Sequence, residues 1–387
     1  MDYNHAMRTS LYIHFPFCLK KCLYCDFNSL AGSRIAAEEY VAALVREMGL
    51  RAEKIGRPVS ALTLYLGGGT PSLMEPALVA KLVDAAAQQY GLAADAEVTI
   101  EANPGTLTPA KLAGYRFAGV NRLSLGVQSF DDAMLALLGR VHTAREALDS
   151  LAAARNEGFA NVGVDLIHSL PGETPEMWGK ELSRAAELEP EHVSAYGLTV
   201  EEGTPFHLLQ GKGLLPLPSD EEGEEMFRLT GEILGQAGYE QYEISNFARP
   251  GFRSRHNQVY WQRGSYVGFG AGAHSFLRSP GWGVRWRNVL SPEAYLDAVS
   301  RATLPEEDLT PLTHRDAMAE FFFLGLRMLE GVDLWAFRRE FGLTAEEAYP
   351  GVMAWLMTAG LAEVRDGCAR LTRRGLPLAN QVFMRFV

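Results

Sequence analysis

The sequence predicts an α/β protein of parallel strand–helix units followed by a smaller, mainly helical module. Two observations carry that expectation. Short apolar runs at 11–15, 62–66, 98–102, 122–127, 162–168 and 193–198 alternate with longer segments of helical period, among them 35–54, 76–90, 144–158 and 175–188. Chemically distinctive residues also cluster just after the apolar runs, where wound sheets and barrels both carry their chemistry. Six strand-then-helix repeats argue for a parallel sheet. The alternation by itself leaves an open wound sheet and a complete or partial barrel both standing.

Further along, 201–218 reads as irregular and 220–237 as a helix. The stretch 239–286 is rich in aromatics, Gly and Arg and reads as strands and loops. From about residue 310 the pattern changes to short helices at 317–329, 334–341 and 351–359, then apolar pieces at 361–365 and 369–372. Helices closed by a small hairpin resemble a winged-helix module. The expected division is a core at 1–237, a connecting region at 238–309 and a C-terminal domain at 310–387.

The chain has 387 residues, 47% apolar and 21% charged, which excludes collagen-like, disordered and disulfide-scaffold classes. No run approaches the ~20 consecutive apolar residues of a membrane span, and residues 1–10 hold no apolar core of signal-peptide type. The expectation is a cytoplasmic protein, with peripheral membrane association left open. A net charge of −11 argues against nucleic acid as a partner, because phosphate-backbone binding needs a basic face.

Three of the four cysteines, Cys18, Cys22 and Cys25, lie directly after the first strand; Cys368 stands alone. Without an export signal, such a cluster points to metal rather than to disulfides. Thiolates suit zinc or iron–sulfur clusters. Three ligands for a four-iron cubane leave one iron without a protein donor, whereas a structural zinc wants a fourth ligand. His14 is near, but no second Cys or His pair follows at finger spacing. Incidental burial of three cysteines is the remaining alternative. Gly67–Gly69 follows the second strand and lets a backbone approach a ligand closely, or else makes a tight turn with none. Glu101, Gln128, Arg140 and Asp165 end or follow later strands.

Several of these features occur together: CxxxCxxC, Tyr12-x-His14-x-Pro16-Phe17-Cys18, Gly67-Gly68-Gly69-Thr70-Pro71-Ser72, Glu101-Ala102-Asn103-Pro104 and Gly126-Val127-Gln128-Ser129. The combination resembles the radical S-adenosylmethionine superfamily. Within it, the closest likeness is to the subgroup of oxygen-independent coproporphyrinogen oxidases and HemW-type haem chaperones. The resemblance implies a partial (β/α)6 barrel of TIM type, with the winged-helix-like module behind it. It also implies a [4Fe-4S] cluster on Cys18, Cys22 and Cys25. S-adenosylmethionine is then expected against Gly68, Gly69 and Thr70, in a pocket lined by Tyr12, Tyr24, Glu101, Gln128, Arg140 and Asp165.

Within this subgroup the oxidases carry another cysteine two residues past the third ligand, where this chain has Phe27. They also carry a long N-terminal extension, whereas ten residues precede Leu11 here. Both departures favour the haem chaperone over the alternative, a coproporphyrinogen III decarboxylase. The string His256-Asn257-Gln258-Val259-Tyr260-Trp261 looks like the HNxxYW motif of the chaperones. His256 is therefore the expected axial ligand of haem carried as cargo, with Arg249, Arg253 and Arg255 upstream as candidates for its propionates. The alternatives are a structural histidine in a loop, and His274 in Gly270-Ala271-Gly272-Ala273-His274 as the ligand. Expected partners are haem and acceptor haemoproteins, membrane-bound respiratory ones among them, with a homodimer left open. A nucleic-acid regulator built on the C-terminal module, which carries Arg338, Arg339, Arg373 and Arg374, is a third reading and the one least compatible with the acidity.

Overall fold

The computed structural model describes residues 6–56 and 58–387. Six parallel strands stand side by side in chain order: β1 (Met7–Phe15), β2 (Val59–Gly68), β3 (Leu92–Ala102), β4 (Arg122–Gln128), β5 (Val162–His168) and β6 (His192–Gly197). A strand order that never reverses is the winding of a barrel, since each right-handed crossover advances the next strand in the same sense. An open doubly wound sheet would switch direction partway. The barrel is partial, because other strands occupy both edges. Tyr266–Phe269 pairs parallel with β1 and leads on to antiparallel His274–Leu277, Val284–Asn288 and Glu306–Pro311. On the far side Asn246–Ala248 and Glu240–Gln241 extend β6. The region 238–309 thus continues the sheet of the core.

Each crossover helix turns an apolar stripe onto this sheet. Pro76–Tyr90 starts on proline, whose missing N–H costs nothing at a first turn, and buries Leu78, Val79, Leu82 and Val83 against strand residues such as Leu64 and Leu66. Pro175–Glu187 is capped by the Thr174 hydroxyl. Its buried Trp178 donates from Nε1 to Thr230 Oγ1 at 2.9 Å and so ties the helix to Asp220–Gln236. The short helices Pro205–Gly211 and Arg255–Trp261 depart from the sequence expectation, which had 201–218 irregular and 239–286 as strands and loops, while Pro109–Phe117, Asp132–Leu138 and Pro292–Ser300 lie in stretches it did not assign. Helices this short are marginal alone and exist through caps and tertiary contacts that no periodicity window registers. Pro205–Gly211, for example, has the Thr204 cap and one fully buried anchor, Phe206.

The C-terminal module has its own core around Phe322, Phe337, Leu356, Val382 and Phe386. Helix His314–Gly325, strand Val332–Asp333, helices Leu334–Phe341 and Val352–Thr358 and the hairpin Ala362–Arg365/Cys368–Leu371 give a winged-helix order. Buried Arg263, just after the HNxxYW segment, docks this module. Its Nε meets Glu320 and its Nη1 meets Glu340, both at 3.0 Å, while Arg285 meets Glu320 at 2.7 Å. Arg327 stacks its guanidinium 4.3 Å from the Trp261 ring.

Replacing Arg263 removes the guanidinium that bridges Glu320 and Glu340, but Glu320 keeps Arg285 and Glu340 keeps Arg278, so the loss is that of charge-assisted bonds, about 1.5–3 kcal/mol. Arg263→Met is therefore expected to lower the unfolding free energy obtained from urea titration by an amount in that range, with a lower midpoint, and to open the 301–313 connection to protease. An unchanged midpoint and cleavage pattern would show that other contacts hold the module.

Candidate functional site

A cavity of about 460 Å³ opens at the C-terminal ends of the strands. Cys18, Cys22, Tyr24, Cys25, Gly68, Gly69, Thr70, Glu101, Gln128, Arg140 and Asp165 all line it, residues drawn from six separate segments of the chain. The cysteine loop is pinned where it leaves and re-enters the fold. Leu23 N–H donates to Leu138 O at 3.0 Å, and Leu30 N–H to Pro16 O at 2.7 Å. Lys21 Nζ clamps the loop's end by donating to Phe27 O at 3.0 Å and Ser29 O at 3.3 Å.

The glycine turn lies against this loop. Gly69 N–H donates to Phe15 O and Thr70 N–H to Phe17 O, so turn and loop run together. A Cβ on Gly69 would come within 2.8 Å of the Pro16 carbonyl carbon, and Gly68 has φ +111°; neither position tolerates a side chain. Thr70 Oγ1 lies 3.5 Å from Cys18 Sγ, and Arg140 Nη1 lies 3.4 Å from Cys22 Sγ. Arg140 Nη2 donates to Asn103 Oδ1 and to Gly126 O, both at 2.8 Å, which leaves Nε buried without a partner. Gln128 holds φ +67° at the end of β4, an uncommon conformation for a residue with a side chain and one that tends to mark functional positions. Among the described residues, no three His, Cys, Asp or Glu side chains converge closely enough to hold a single metal ion.

Two carboxylates face each other across the interior. Glu101 Oε1 accepts from the Tyr65 hydroxyl at 2.9 Å and Oε2 from Gly68 N–H at 3.0 Å. Asp165 accepts from Ser124 Oγ at 3.0 Å. Burial pushes the Glu101 carboxyl up to about 7; the Tyr65 hydrogen bond opposes this and the nearby Asp165 charge adds to it. Burial raises Asp165 as well. A cationic ligand would relieve both.

The register explains why these groups meet. Tyr12 pairs with Tyr65, Glu101 with Ser124, and Asp165 with Ser194, so each pair shares one face of the sheet. Tyr65, Asn103, Arg122, Ser124, His192, Ser194 and Tyr196 also line the cavity, and sequence reasoning missed them. Period-2 alternation of polar residues along β4 and β6 was the signal available, at Arg122/Ser124 and His192/Ser194/Tyr196.

Not every expected residue reaches the cavity. Tyr12 stacks on Tyr65 with centroids 6.2 Å apart and places its hydroxyl 3.0 Å from His14 Nδ1, behind the lining. His256 is 1% exposed, and both of its ring nitrogens are engaged: Nδ1 lies 2.7 Å from Thr63 Oγ1 and Nε2 lies 2.8 Å from the Tyr260 hydroxyl. Burial lowers its pKa to about 3, so the ring stays neutral. The upstream arginines are also occupied, Arg249 by Glu189, Arg253 by Glu330 and Glu240, and Arg255 by Asp95. His274 is exposed, and its ring makes no hydrogen bond among the described residues. The glycines before it form a packed turn held from Gly270 N–H to Glu47 Oε2 at 2.9 Å and from Ala271 N–H to Tyr40 Oη at 2.8 Å.

The raised Glu101 pKa has a stability consequence whose sign follows from linkage. Between 4.5 and about 7 the folded state holds a proton that the unfolded state releases, so this group's contribution is full below 4.5 and is lost as pH rises through 7. In ligand-free protein, the melting temperature of Glu101→Gln relative to wild type should therefore climb steadily from pH 5 to pH 8. A flat difference across that range would show that Glu101 does not titrate there.

Comparison with known proteins adds the family. The radical SAM superfamily model matches residues 12–185, and the HemN C-terminal domain model matches 312–378. The heme chaperone HemW of Bacillus subtilis is 38% identical over 98% of this chain and 99% of its own. The HemW of Escherichia coli is 36% identical over 98% of each. The mitochondrial radical S-adenosyl methionine domain-containing protein 1 of Bos taurus is 39% identical over 84% of this chain and 75% of its own. Among solved structures, the coproporphyrinogen III oxidase HemN of Escherichia coli, a radical SAM enzyme, superposes with a TM-score of 0.83 at 25% identity, covering 98% of this chain and 90% of that one. Near-full-length identity at this level, with both domain models in order, means that the chain belongs to the HemW family of the radical SAM superfamily.

Proposed function

We propose that this protein is a haem chaperone: it binds haem and passes it to acceptor haemoproteins, membrane-bound respiratory ones among them. It does so while carrying a [4Fe-4S] cluster on Cys18, Cys22 and Cys25 and S-adenosylmethionine in the strand-end cavity. The observation that carries the reading is the cavity itself, three thiols on one pinned loop beside a glycine turn and two sunken carboxylates. Three soft donors that do not converge on a point suit a multi-iron cluster better than one zinc ion. The family names of the relatives point the same way.

When bound, the cluster and S-adenosylmethionine would supply one-electron chemistry. The chain's own residues bind and orient. Arg140, beside Cys22, supplies positive charge toward the cluster and a free Nε, while the Gly67–Gly69 turn gives backbone room for the methionyl group. Glu101 and Asp165 accept hydrogen bonds from the cofactor's amine or ribose. Phe27, 61% exposed on the rim, offers an apolar face where the oxidases have a cysteine. Of His256 and His274, His274 is the exposed imidazole that a haem iron could reach. Burial and the nearby Arg287 and Arg285 lower its pKa and so favour the neutral donor form. The nucleic-acid reading gains nothing from the C-terminal module, whose helix before the hairpin, Val352–Thr358, carries no charged residue.

One anaerobically reconstituted sample tests the proposal. Wild type and Cys368→Ala should hold four irons and four sulfides, in the order-of-magnitude sense of one cubane per chain. The combined variant Cys18→Ala, Cys22→Ala, Cys25→Ala should hold none. Haem should bind, with a Soret spectrum altered in His274→Ala, and coproporphyrinogen III should not be consumed. Sustained formation of protoporphyrinogen would replace the chaperone reading with the oxidase one.

A further inference from the structure

The HNxxYW segment closes the foot of the partial barrel. Its short helix Arg255–Trp261 lies under the cavity, and Ser254, which caps it, and Asn257 form part of the cavity floor. Glu97 on β3 anchors this helix, accepting from Arg255 N–H at 3.0 Å and His256 N–H at 2.9 Å. From the helix the His256 imidazole projects among the strands, fixed at both nitrogens by Thr63 and Tyr260. Its face stacks on Tyr65, with centroids 4.9 Å apart and planes 27° from parallel. Tyr12 stacks on Tyr65 at 26°. Tyr65 thus packs against two rings whose centroids are themselves 6.5 Å apart, and its hydroxyl is spent on Glu101 Oε1.

We propose that His256 is a positioning residue of the cofactor pocket: with Tyr260 it fixes the Tyr65 ring, and through the Tyr65 hydroxyl it aims the Glu101 carboxylate at the Gly67–Gly69 turn. The physical argument has three steps. A ring whose two nitrogens are both bonded in a buried site cannot rotate without leaving a polar atom unsatisfied. A fixed ring stacked on Tyr65 holds that phenol in one orientation. A phenol so held presents its O–H to one carboxylate oxygen, which leaves the other for Gly68 N–H. Because burial keeps His256 neutral, the support does not switch between ordinary pH values. This role accounts for why the motif carries both a histidine and a tyrosine four residues on, one helical turn apart.

The inference rests on the reading that Glu101 faces bound S-adenosylmethionine, and the experiment separates the two. Equilibrium dialysis of S-adenosylmethionine is run from pH 6 to pH 9 on reconstituted full-length wild type, Tyr65→Phe, Tyr260→Phe and His256→Ala, alongside thermal unfolding of each. Tyr65→Phe deletes the hydrogen bond that lowers the Glu101 pKa, so the pH above which the cofactor binds tightly should move up and affinity at pH 7 should fall about tenfold. Asp165, Tyr12 and Tyr260 also face Glu101 and are unchanged in that arm. His256→Ala should shift the midpoint in the same direction, and adding it to Tyr65→Phe should produce no further shift. Tyr260→Phe, a gentler change that frees Nε2, should give an intermediate shift even if His256→Ala folds poorly. Wild-type affinity and midpoint in both His256→Ala and Tyr260→Phe, with Tyr65→Phe shifted, would overturn the positioning role alone. Absence of binding in wild type would overturn the pocket reading and this inference with it.

Discussion

The structure depends on keeping charge inside an incomplete barrel. A closed eight-stranded barrel fills its interior with layers of branched apolar side chains. Here the layer across β3 to β6 is Glu101, Ser124, Asp165 and Ser194, and it borders an open cavity. Burial raises both carboxyls and the Asp165 charge raises Glu101 further, while hydroxyl and backbone donors, with Arg122 and Arg140 near Asp165, act in the opposite direction and offset only part of it. The remaining deficit makes the cavity selective for a ligand that brings positive charge and hydrogen-bond donors.

Everything around that layer serves to hold it open. Helix Ala37–Ile55 places Glu47 where it accepts from Gly270 N–H, Asn288 Nδ2 and the Tyr295 hydroxyl, so the sheet extension beyond β1 is tied to the core by a buried carboxylate of a different kind. That carboxylate is saturated with donors from the fold itself, whereas Glu101 and Asp165 keep lone pairs facing the cavity. The difference separates a structural buried acid from one available to a ligand.

Much of this was legible in the residues. Strand 162–168 and helices 76–90 and 334–341 fall where periodicity puts them, because a proline, a glycine or a capping side chain punctuates their ends. The cysteines, the glycine turn and Glu101, Gln128, Arg140 and Asp165 do come together, since residues at parallel strand ends must share one rim. Tyr65 and Ser194 were missed because a polar residue in an apolar run does not say which strand it will face. His256 shows the opposite limit. Its chemistry as a nitrogen donor is plain from residue type, but its accessibility depends on Thr63 and Tyr260, and no spacing rule pairs the first with it.

The position of β1 has a consequence for how the chain is made. β1 is formed from the first described residues, yet one of its edges is completed only by Tyr266–Phe269, with Ser10 opposite Tyr266. During synthesis, the roughly 250 residues between β1 and that partner must leave the ribosome before the edge is covered, and non-local parallel pairing is slow to form. Until then the nascent chain presents an unpaired strand, a template for edge-to-edge association, immediately before a loop with three free thiols. Translation therefore leaves an interval in which three thiols stand beside an uncovered strand edge, open to oxidants until the barrel is complete.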